Sequence, residues 1–329
     1  MKSKIAFVTG ATGFIGSHLV ERLLLEGFAV KCLIRDKFKL GFLQNLPIEI
    51  IEGDLFNLTA IRNGVKNANY IFHVGGIVAG KSKKDFYRGN VEATKNLIDA
   101  TFENKKNIRR FVFVSSLAVV GPSKNNFPVD EKSELNPITT YGKSKLEAEK
   151  IVLSFKDELP ITIIRPSAVY GARDSATFDF FKSINKGILP LNNFGRSFIN
   201  LIHVSDLING ILLSAKSENA IGKIYIIGSE KSYTWFEIGN ICEEVLEKKL
   251  FKINLPKIII FIYAGFVQFI SLFKQKPSVI NFEKAKDITA KYWICSVNKA
   301  KNEIGFSEKT TLFNGFKSTI DWYKLNNWF

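Results

Sequence analysis

The chain has 329 residues, of which 46% are hydrophobic and 23% charged, and its formal net charge is +15. These values exclude a disordered chain and are typical of a globular protein with one large domain or two. The basic residues are spread over the whole chain without a nucleic-acid-binding motif, so we expect a solvated basic surface and no nucleic-acid partner. Three cysteines and three histidines are scattered, which predicts neither disulfides nor a metal site.

Strand-like and helix-like segments alternate along much of the chain, which predicts an α/β fold with a Rossmann-type doubly wound parallel sheet. The predicted strands are 5–8, 29–34, 48–51, 69–73, 110–114, 161–164 and 223–227, and the predicted helices are 14–26, 57–66, 85–104, 142–157 and 204–216. The alternation breaks at 171–200 and 229–329. We expect these segments to form a smaller, mostly helical lobe beside a sheet domain of 1–170 and 201–228.

A glycine-rich segment, Thr9-Gly10-Ala11-Thr12-Gly13-Phe14-Ile15-Gly16, joins the first predicted strand to the first predicted helix. Gly10 can form a tight turn, Gly13 lets backbone approach a pyrophosphate, and Gly16 lets the helix pack closely on the strand. The helix N-terminus then offers free N–H groups to the phosphates. We therefore predict a dinucleotide site rather than a turn without a ligand. Its expected contact residues are Gly10, Thr12, Gly13, Phe14 and Ile15.

The residues after the second predicted strand indicate which dinucleotide binds. An NAD enzyme usually has an acid here that binds the ribose 2′-hydroxyl, whereas this chain continues with Arg35. A guanidinium suits a 2′-phosphate, so we predict NADP. In the alternative, Asp36 contacts the ribose and the cofactor is NAD. Asp54, at the end of the third predicted strand, is a candidate acceptor for the adenine amino group.

Tyr141 and Lys145 are four residues apart near the start of a predicted helix, so they share one of its faces. A neighbouring ammonium favours the phenolate and is expected to lower the pKa of Tyr141. Tyr141 could then exchange a proton with an alcohol or carbonyl oxygen, while Lys145 bonds the nicotinamide ribose. Ser115 and Ser116 follow an apolar strand, where a hydroxyl can polarise the substrate oxygen. An ordinary amphipathic helix has the same spacing, but the upstream glycine loop favours alcohol and carbonyl chemistry.

Residues 258–273 form an apolar run that Lys257 and Lys274 bracket. The run is shorter than the roughly 20 residues of a membrane span and contains Gln268. We expect a helix of the C-terminal lobe, packed on the sheet domain or on a partner subunit of a homodimer. A helix that lies in a membrane interface is the less favoured alternative. The first strand begins too early for a signal peptide, which predicts a cytoplasmic protein.

These motifs resemble those of the extended short-chain dehydrogenase/reductases, the NAD(P)-dependent epimerase/dehydratase family, over nearly the full length of the chain. The glycine loop matches the family's T-G-x-x-G-x-x-G, and Tyr141-Gly142-Lys143-Ser144-Lys145 matches its active-site helix. Val114-Ser115-Ser116 resembles its serine segment, where the following Val119-Val120-Gly121 favours Ser116. The resemblance implies three catalytic residues, Ser116, Tyr141 and Lys145.

Four further segments are similar to family motifs: His73-Val74-Gly75-Gly76, Asn90-Val91-Glu92-Ala93-Thr94, Arg165-Pro166-Ser167-Ala168-Val169-Tyr170-Gly171 and His203-Val204-Ser205-Asp206. The resemblance implies that the third of these lines the nicotinamide pocket. It also implies that Asp54 is the family's adenine-contacting acid. The cofactor contacts expected beyond the glycine loop and Arg35 are Asp54, Leu55, Val74, Tyr141, Lys145, Pro166 and Val169.

Departures from the nucleotide-sugar enzymes of the family favour a reductase. Those enzymes usually carry arginine three residues before His203, where this chain has Asn200, and Val120 replaces a common tyrosine. Arg35 and the C-terminal Asp321-Trp322-Tyr323 look more like the dihydroflavonol-reductase and 3β-hydroxysteroid-dehydrogenase branch. We predict an NADP-dependent oxidoreductase for a small, hydrophobic substrate. The alternatives are an NAD-dependent nucleotide-sugar epimerase or dehydratase, and an NADP-binding sensor or scaffold without chemistry.

Overall fold

The computed structural model describes residues 4–271 and 281–329 and is built around a parallel sheet. The strands are β1 (Ile5–Thr9), β2 (Ala29–Ile34), β3 (Ile48–Glu52), β4 (Tyr70–His73), β5 (Arg110–Val114), β6 (Ile161–Pro166), β7 (Ala168–Tyr170), β8 (Ile188–Asn192), β9 (Phe198–Ile199), β10 (Leu201–His203), β11 (Lys223–Ile227), β12 (Tyr233–Thr234), β13 (Phe251–Leu255) and β14 (Tyr292–Trp293). Seven strands pair in the order β3-β2-β1-β4-β5-β6-β11, all parallel. The predicted doubly wound Rossmann-type sheet is confirmed.

Helices cover this sheet and make up most of the C-terminal region. They are α1 (Phe14–Leu25), α2 (Leu58–Val65), α3 (Lys83–Phe86), α4 (Ala93–Glu103), α5 (Thr140–Leu153), α6 (Phe178–Asn185), α7 (Val204–Lys216), α8 (Trp235–Leu246), α9 (Lys257–Ser271), α10 (Phe282–Thr289), α11 (Asn298–Ile304) and α12 (Leu312–Leu325). A π-helical segment, Tyr87–Glu92, lies between α3 and α4. Helix α5 begins at Thr140, two residues before the predicted start, so that Tyr141 lies in its first turn.

Alternate residues of the sheet strands face two separate apolar cores, because successive side chains of a strand point to opposite faces. In β1, Ala6 and Val8 pack in one core with side chains of α1 and α7, whereas Phe7 packs in the other with those of α2, α4 and α5. Strand β5 alternates in the same way, with Phe111 and Val112 on opposite faces. Helices therefore bury both faces, and the central strands are near-continuous apolar runs.

A third apolar core lies in the C-terminal region, between β8 and helices α6, α8 and α12. Phe181, Leu189, Ile238 and Phe316 are among its buried side chains. Short strands add to the helices here: β13 pairs with β8, and β9 pairs with β12 and β14. Strands β9, β12 and β14 have only two residues, which is too few for a sequence pattern to indicate, whereas β8 and β13 have five residues each and contain exposed positions.

Two segments of the predicted lobe differ from expectation. Val297, Ala300 and Ile304 of the α11 region pack in the sheet domain's core, not in the lobe's. Helix α9 is not packed on the sheet domain, since among its described residues it buries only Ala264 and its main contact is with α10. The lobe's core is formed without α9. Leu272 and Phe273, the end of the predicted apolar run, lie outside the described residues, and none of the described helices is long and apolar enough to span a bilayer.

Candidate active site

The glycine loop between β1 and α1 has no room for side chains at two positions. Gly10 has a φ of +73°, and a Cβ there would lie 2.6 Å from the backbone nitrogen of Gly75. A Cβ on Gly16 would lie 2.0 Å from the carbonyl oxygen of Gly10. The turn is closed by the N–H of Gly13, which donates to the Gly10 carbonyl at 3.0 Å. Only backbone fits at these two positions, which lets a pyrophosphate approach the loop closely.

The first turn of α1 completes this surface. The helix begins at Phe14, and the N–H groups of its first turn have no acceptor within the helix. No acidic side chain lies in that turn, and Thr12 and Gly13 are exposed. The positive end of the helix dipole thus faces an open, side-chain-poor loop. These residues fit the diphosphate of a dinucleotide.

A buried hydrogen-bond chain supports the loop from behind. The Oγ1 of Thr9 is 2.7 Å from Nδ1 of His73, and Nε2 of His73 is 2.8 Å from Oγ1 of Thr94. Thr94 donates its own proton to the carbonyl of Asn90, so Nε2 must be the donor and the ring is neutral. Burial lowers the pKa of His73 to about 3, and the Lys145 charge acts in the same direction. His73 therefore fixes the ends of β1 and β4 without titrating near neutral pH.

At the far end of β2, Arg35 and Asp36 have different surroundings. The Arg35 side chain is exposed directly beyond the strand. Asp36 accepts from the N–H of Phe38 and pairs with Lys39 at 3.0 Å, and these contacts hold the pKa of its carboxyl below the usual value. Asp36 is thus held in its own turn. One oxygen of Asp54, which is also exposed, accepts from two N–H groups of the loop that follows β3.

Tyr141 and Ser116 lie together at the ends of α5 and β5. The Oγ of Ser116 accepts from the N–H of Ala118 at 3.1 Å, which orients the hydroxyl. Burial raises the pKa of Tyr141, the Ser116 hydroxyl opposes this by hydrogen bonding to the phenol, and the Asp287 charge adds to the increase. Ser116 rather than Ser115 is therefore the hydroxyl that acts on the pKa of Tyr141. The buried Oγ of Ser115 has no hydrogen-bond partner among the described residues.

The expectation that Lys145 lowers the pKa of Tyr141 is wrong. The Nζ of Lys145 donates to the carbonyl of Val114 at 2.8 Å and lies 4.4 Å from the ring centre of Phe113. Its ammonium is thus directed at the end of β5, and burial of the phenol outweighs other influences on Tyr141. Burial also lowers the pKa of Lys145, to about 8, although the Glu149 charge opposes the change.

Two buried contacts that the sequence pattern did not indicate hold α5 in place. Glu149 accepts two hydrogen bonds from Arg165, at 3.0 and 2.7 Å, and both side chains are almost fully buried. Asn90 donates to the Ser144 hydroxyl at 2.9 Å and accepts from the N–H of Ile77 at 2.8 Å. Asn90 belongs to a segment that resembles a family motif, but the sequence did not indicate what the residue does. No sequence pattern indicated Glu149.

Helix α10 brings two acids of the C-terminal lobe to the start of α5. Glu283 accepts from the backbone N–H and the Oγ1 of Thr140, at 2.8 and 2.7 Å. The charge of Asp287 adds to the raised pKa of Tyr141, and burial raises the pKa of Asp287 itself. Its Oδ1 is buried without a hydrogen-bond partner in the described part of the chain. No sequence signal indicated either acid, because more than 140 residues separate them from Tyr141.

The other residues expected at the cofactor lie where parallel strands end together. The N–H of Val74 donates to Thr9 at 3.2 Å, and the Leu55 side chain lies beside Gly75. Pro166 ends β6 in a buried position, and Val169 is half-buried in β7. Together with the glycine loop and the Tyr141 helix, they surround the carboxyl edge of the sheet, where ligands of such sheets bind.

Asn200, at the position where nucleotide-sugar enzymes of the family usually have arginine, has a structural role. Its side chain accepts from the N–H of Ser229 at 2.9 Å and donates to the Ser229 carbonyl and the Ser232 hydroxyl, at 2.9 and 3.1 Å. It is buried, and its Oδ1 lies only 2.4 Å from where a Cβ on Gly228 would be. Asn200 thus anchors the loop after β11 and has no group left for a diphosphate.

Comparison with known proteins agrees with this arrangement. Residues 6–228 match the NAD dependent epimerase/dehydratase family, and the chain belongs to that family. It is 28% identical to a ceramide reductase of Caulobacter vibrioides over 98% of this chain and 96% of that protein. It is 32% identical to a putative dihydroflavonol 4-reductase of Synechocystis, over 68% of this chain and 67% of that one.

The solved structures that resemble the chain have the same fold. The UDP-glucuronic acid 4-epimerase of Bacillus cereus, in complex with UDP-glucuronic acid and NAD, superposes with a TM-score of 0.79. The match covers 98% of this chain and 99% of the epimerase, at 23% identity. The family thus includes reductases and epimerases, and its members depend on a nicotinamide dinucleotide.

Proposed function

We propose that this protein is an NADP-dependent reductase, or the reverse dehydrogenase, for a carbonyl group on a predominantly apolar substrate. The observation that carries the proposal is the grouping of Tyr141, Ser116 and Lys145 beside a glycine-rich dinucleotide loop. A chain that only senses or binds the cofactor would not need this grouping. A bound nicotinamide supplies or accepts the hydride, and the chain's own residues position the substrate and handle the proton.

Each of the three residues has a distinct part in this chemistry. Tyr141 donates the proton to the carbonyl oxygen during reduction, which suits its raised pKa, since the phenol is then protonated. Ser116, held by Ala118, donates a hydrogen bond to the same oxygen and stabilises its developing charge. Lys145 lies one turn further along α5 and would hydrogen-bond the nicotinamide ribose. Its ammonium donates to the Val114 carbonyl in the structure.

The surroundings of β2 support NADP as the cofactor. Arg35 is exposed beyond the strand, whereas Asp36 is held by Phe38 and Lys39. Lys37 pairs with Glu52 at 3.2 Å, so this cation is partly compensated. The Arg35 guanidinium can therefore reach a 2′-phosphate, while the acid that would bind a ribose hydroxyl is turned into its own loop.

The lobe and the relatives support an apolar substrate. The Caulobacter relative is a ceramide reductase, which acts on a lipid, and it matches over nearly the full chain. Asn200 is fully engaged, which disfavours a nucleotide diphosphate at that position. Asp287, whose charge adds to the raised pKa of Tyr141, has a buried Oδ1 without a hydrogen-bond partner in the described part of the chain, while its Oδ2 pairs with Lys284 at 3.5 Å. An acceptor of this kind suits a hydroxyl or amide N–H near the substrate carbonyl.

The substrate proposal is tested by following NADPH oxidation with purified protein. The panel should contain long-chain β-keto amides and ketones, short-chain ketones of the same functional group, and UDP-glucose. We expect NADPH consumption with the long-chain compounds and little with the short ones, because the apolar tail contributes to binding. If no ketone caused NADPH consumption and UDP-glucose were isomerised, the protein would be an epimerase and not a reductase.

A further inference from the structure

Helix α9 exposes an unusually apolar surface. Seven large apolar residues are between 36% and 66% exposed, although the helix belongs to an ordered lobe. At 100° per residue they fall within an arc of about 140°, so they form one continuous stripe along the 15-residue helix. We name these residues the α9 stripe: Ile258, Ile259, Ile262, Tyr263, Phe266, Phe269 and Ile270.

The remaining side of α9 faces α10 and is partly polar. Oε1 of Gln268 accepts from the N–H of Phe282 at 3.0 Å, and the rings of Phe261 and Phe282 are 4.9 Å apart. Ala264 is the buried residue of the helix. A surface helix in water normally turns its apolar side inward and its polar side outward. The α9 stripe instead turns large apolar side chains outward, which indicates that something other than water covers it.

The charges around the stripe identify what covers it. From Lys248 to Phe282 the sequence contains lysines and neither aspartate nor glutamate. Lys257 begins α9, and the whole chain has a net charge of +15. The lysines of this segment within the described residues are Lys248, Lys249, Lys252 and Lys257, of which Lys249 and Lys252 pair with Glu243 at 3.1 and 3.6 Å. Two copies of the chain paired through this face would oppose Lys257 and the chain's net positive charge to themselves, whereas anionic headgroups would complement both.

The length of the helix suits a particular mode of lipid contact. Fifteen residues extend about 22 Å, which is less than the roughly 30 Å hydrocarbon core of a bilayer. A helix with a wide apolar stripe and flanking lysines instead lies in the interface, with the stripe among the upper acyl segments. Helix α10 then carries Glu283 and Asp287 to Thr140 and Tyr141, so the lipid surface would be near the entrance to the cleft.

We propose that the α9 stripe docks this protein on an anionic lipid surface, with α9 lying parallel to the membrane plane. This inference goes beyond the reductase proposal, because lipid binding requires neither cofactor nor turnover. It reverses the sequence-based preference for a packed helix. The reason is that the exposed side of α9, not its length, determines what the helix contacts.

The experiment is sedimentation of the full chain with vesicles of phosphatidylcholine alone and of phosphatidylcholine with phosphatidylglycerol. We expect binding to the mixed vesicles, weakened by added salt. Ile262→Asp and Phe266→Asp should each weaken this binding by roughly tenfold or more. Leu25→Asp is the matched control, because Leu25 is 83% exposed on α1 in the sheet domain and should bind as the wild type does.

The alternatives give different results in the same series. Circular dichroism and thermal melting check that the stripe variants remain folded, and Lys257→Glu, which leaves the stripe intact, should also weaken binding. Wild-type protein that does not sediment with anionic vesicles would overturn the proposal. So would vesicle binding that none of these three substitutions changes. A lipid-free dimer that Ile262→Asp converts to a monomer, without vesicle binding, would show that a second copy covers the stripe.

Discussion

Replacing Tyr141 by phenylalanine is expected to lower kcat by about two to four decades. The substitution keeps the half-buried ring in the first turn of α5 but removes the hydroxyl group whose proton the carbonyl oxygen must receive. Ser116 would still donate a hydrogen bond to that oxygen, so some turnover should remain. The dissociation constant of NADPH should change little, because the dinucleotide loop lies on β1 and α1. Steady-state kinetics and a fluorescence titration with NADPH measure the two quantities separately.

The control for this variant removes a phenol elsewhere in the same region. Tyr292 lies in β14, where its ring packs on Phe198 at 6.0 Å, and Tyr292→Phe should leave kcat near the wild-type value. If Tyr141→Phe also retains near-normal kcat, Tyr141 is not the proton donor. Asp287, the acid whose charge acts on Tyr141, would then be the first residue to examine.

Replacing Arg35 by alanine is expected to weaken NADPH binding by about 1.5 to 3 kcal/mol, which is the contribution of hydrogen bonds to a charged group. This corresponds to roughly 10- to 150-fold in the dissociation constant. Binding of NADH should be nearly unchanged, because NADH has no 2′-phosphate for the guanidinium to contact. Isothermal titration calorimetry of both cofactors with wild type and variant gives the four values needed.

A neighbouring lysine distinguishes a specific contact from a general charge effect. Lys37→Ala removes the same charge from the same loop, but Lys37 pairs with Glu52, so its effect on NADPH should be several-fold smaller. Equal losses in the two variants would indicate only long-range attraction of an anionic cofactor. Wild-type protein that prefers NADH would exclude the Arg35 contact and leave NAD as the cofactor.

The sheet was predictable because its strands are buried on both faces. The run Phe111–Val114 is apolar at every position, and Ile161–Ile164 is interrupted only by Thr162. Each of the seven predicted strands is found within one residue or two of its expected limits. Strands β7, β8, β9, β10, β12, β13 and β14 were not predicted. Five of them have only two or three residues, and the other two, β8 and β13, contain exposed positions, so none is a long run buried on both faces.

The site was predictable where its chemistry depends on residues close in sequence. The glycines that shape the dinucleotide loop lie within eight residues of sequence, and Tyr141 and Lys145 lie one helical turn apart. The contacts that position them join distant segments, such as Glu149 with Arg165 and Glu283 with Thr140. A charged residue with a distant partner looks the same in sequence as one on a solvated surface.

Helix α9 shows the same limit for apolar residues. Its composition indicated burial, and its length argued against a membrane span. Neither property indicates which side faces the rest of the molecule, because that depends on how completely other elements fill the lobe. Phe181, Leu189, Ile238 and Phe316 already form that core, and α9 is left on the surface.

The most direct measurement of the proposed activity is transfer of deuterium from NADPH labelled at C4 of the nicotinamide to a long-chain ketone. We expect the deuterium to appear at the carbinol carbon of the alcohol, with one NADP⁺ formed per alcohol and no nicotinamide nucleotide retained tightly by the purified protein. Protein that purifies with stoichiometric NAD, transfers no deuterium from added NADPH and isomerises a nucleotide sugar would contradict the reductase assignment.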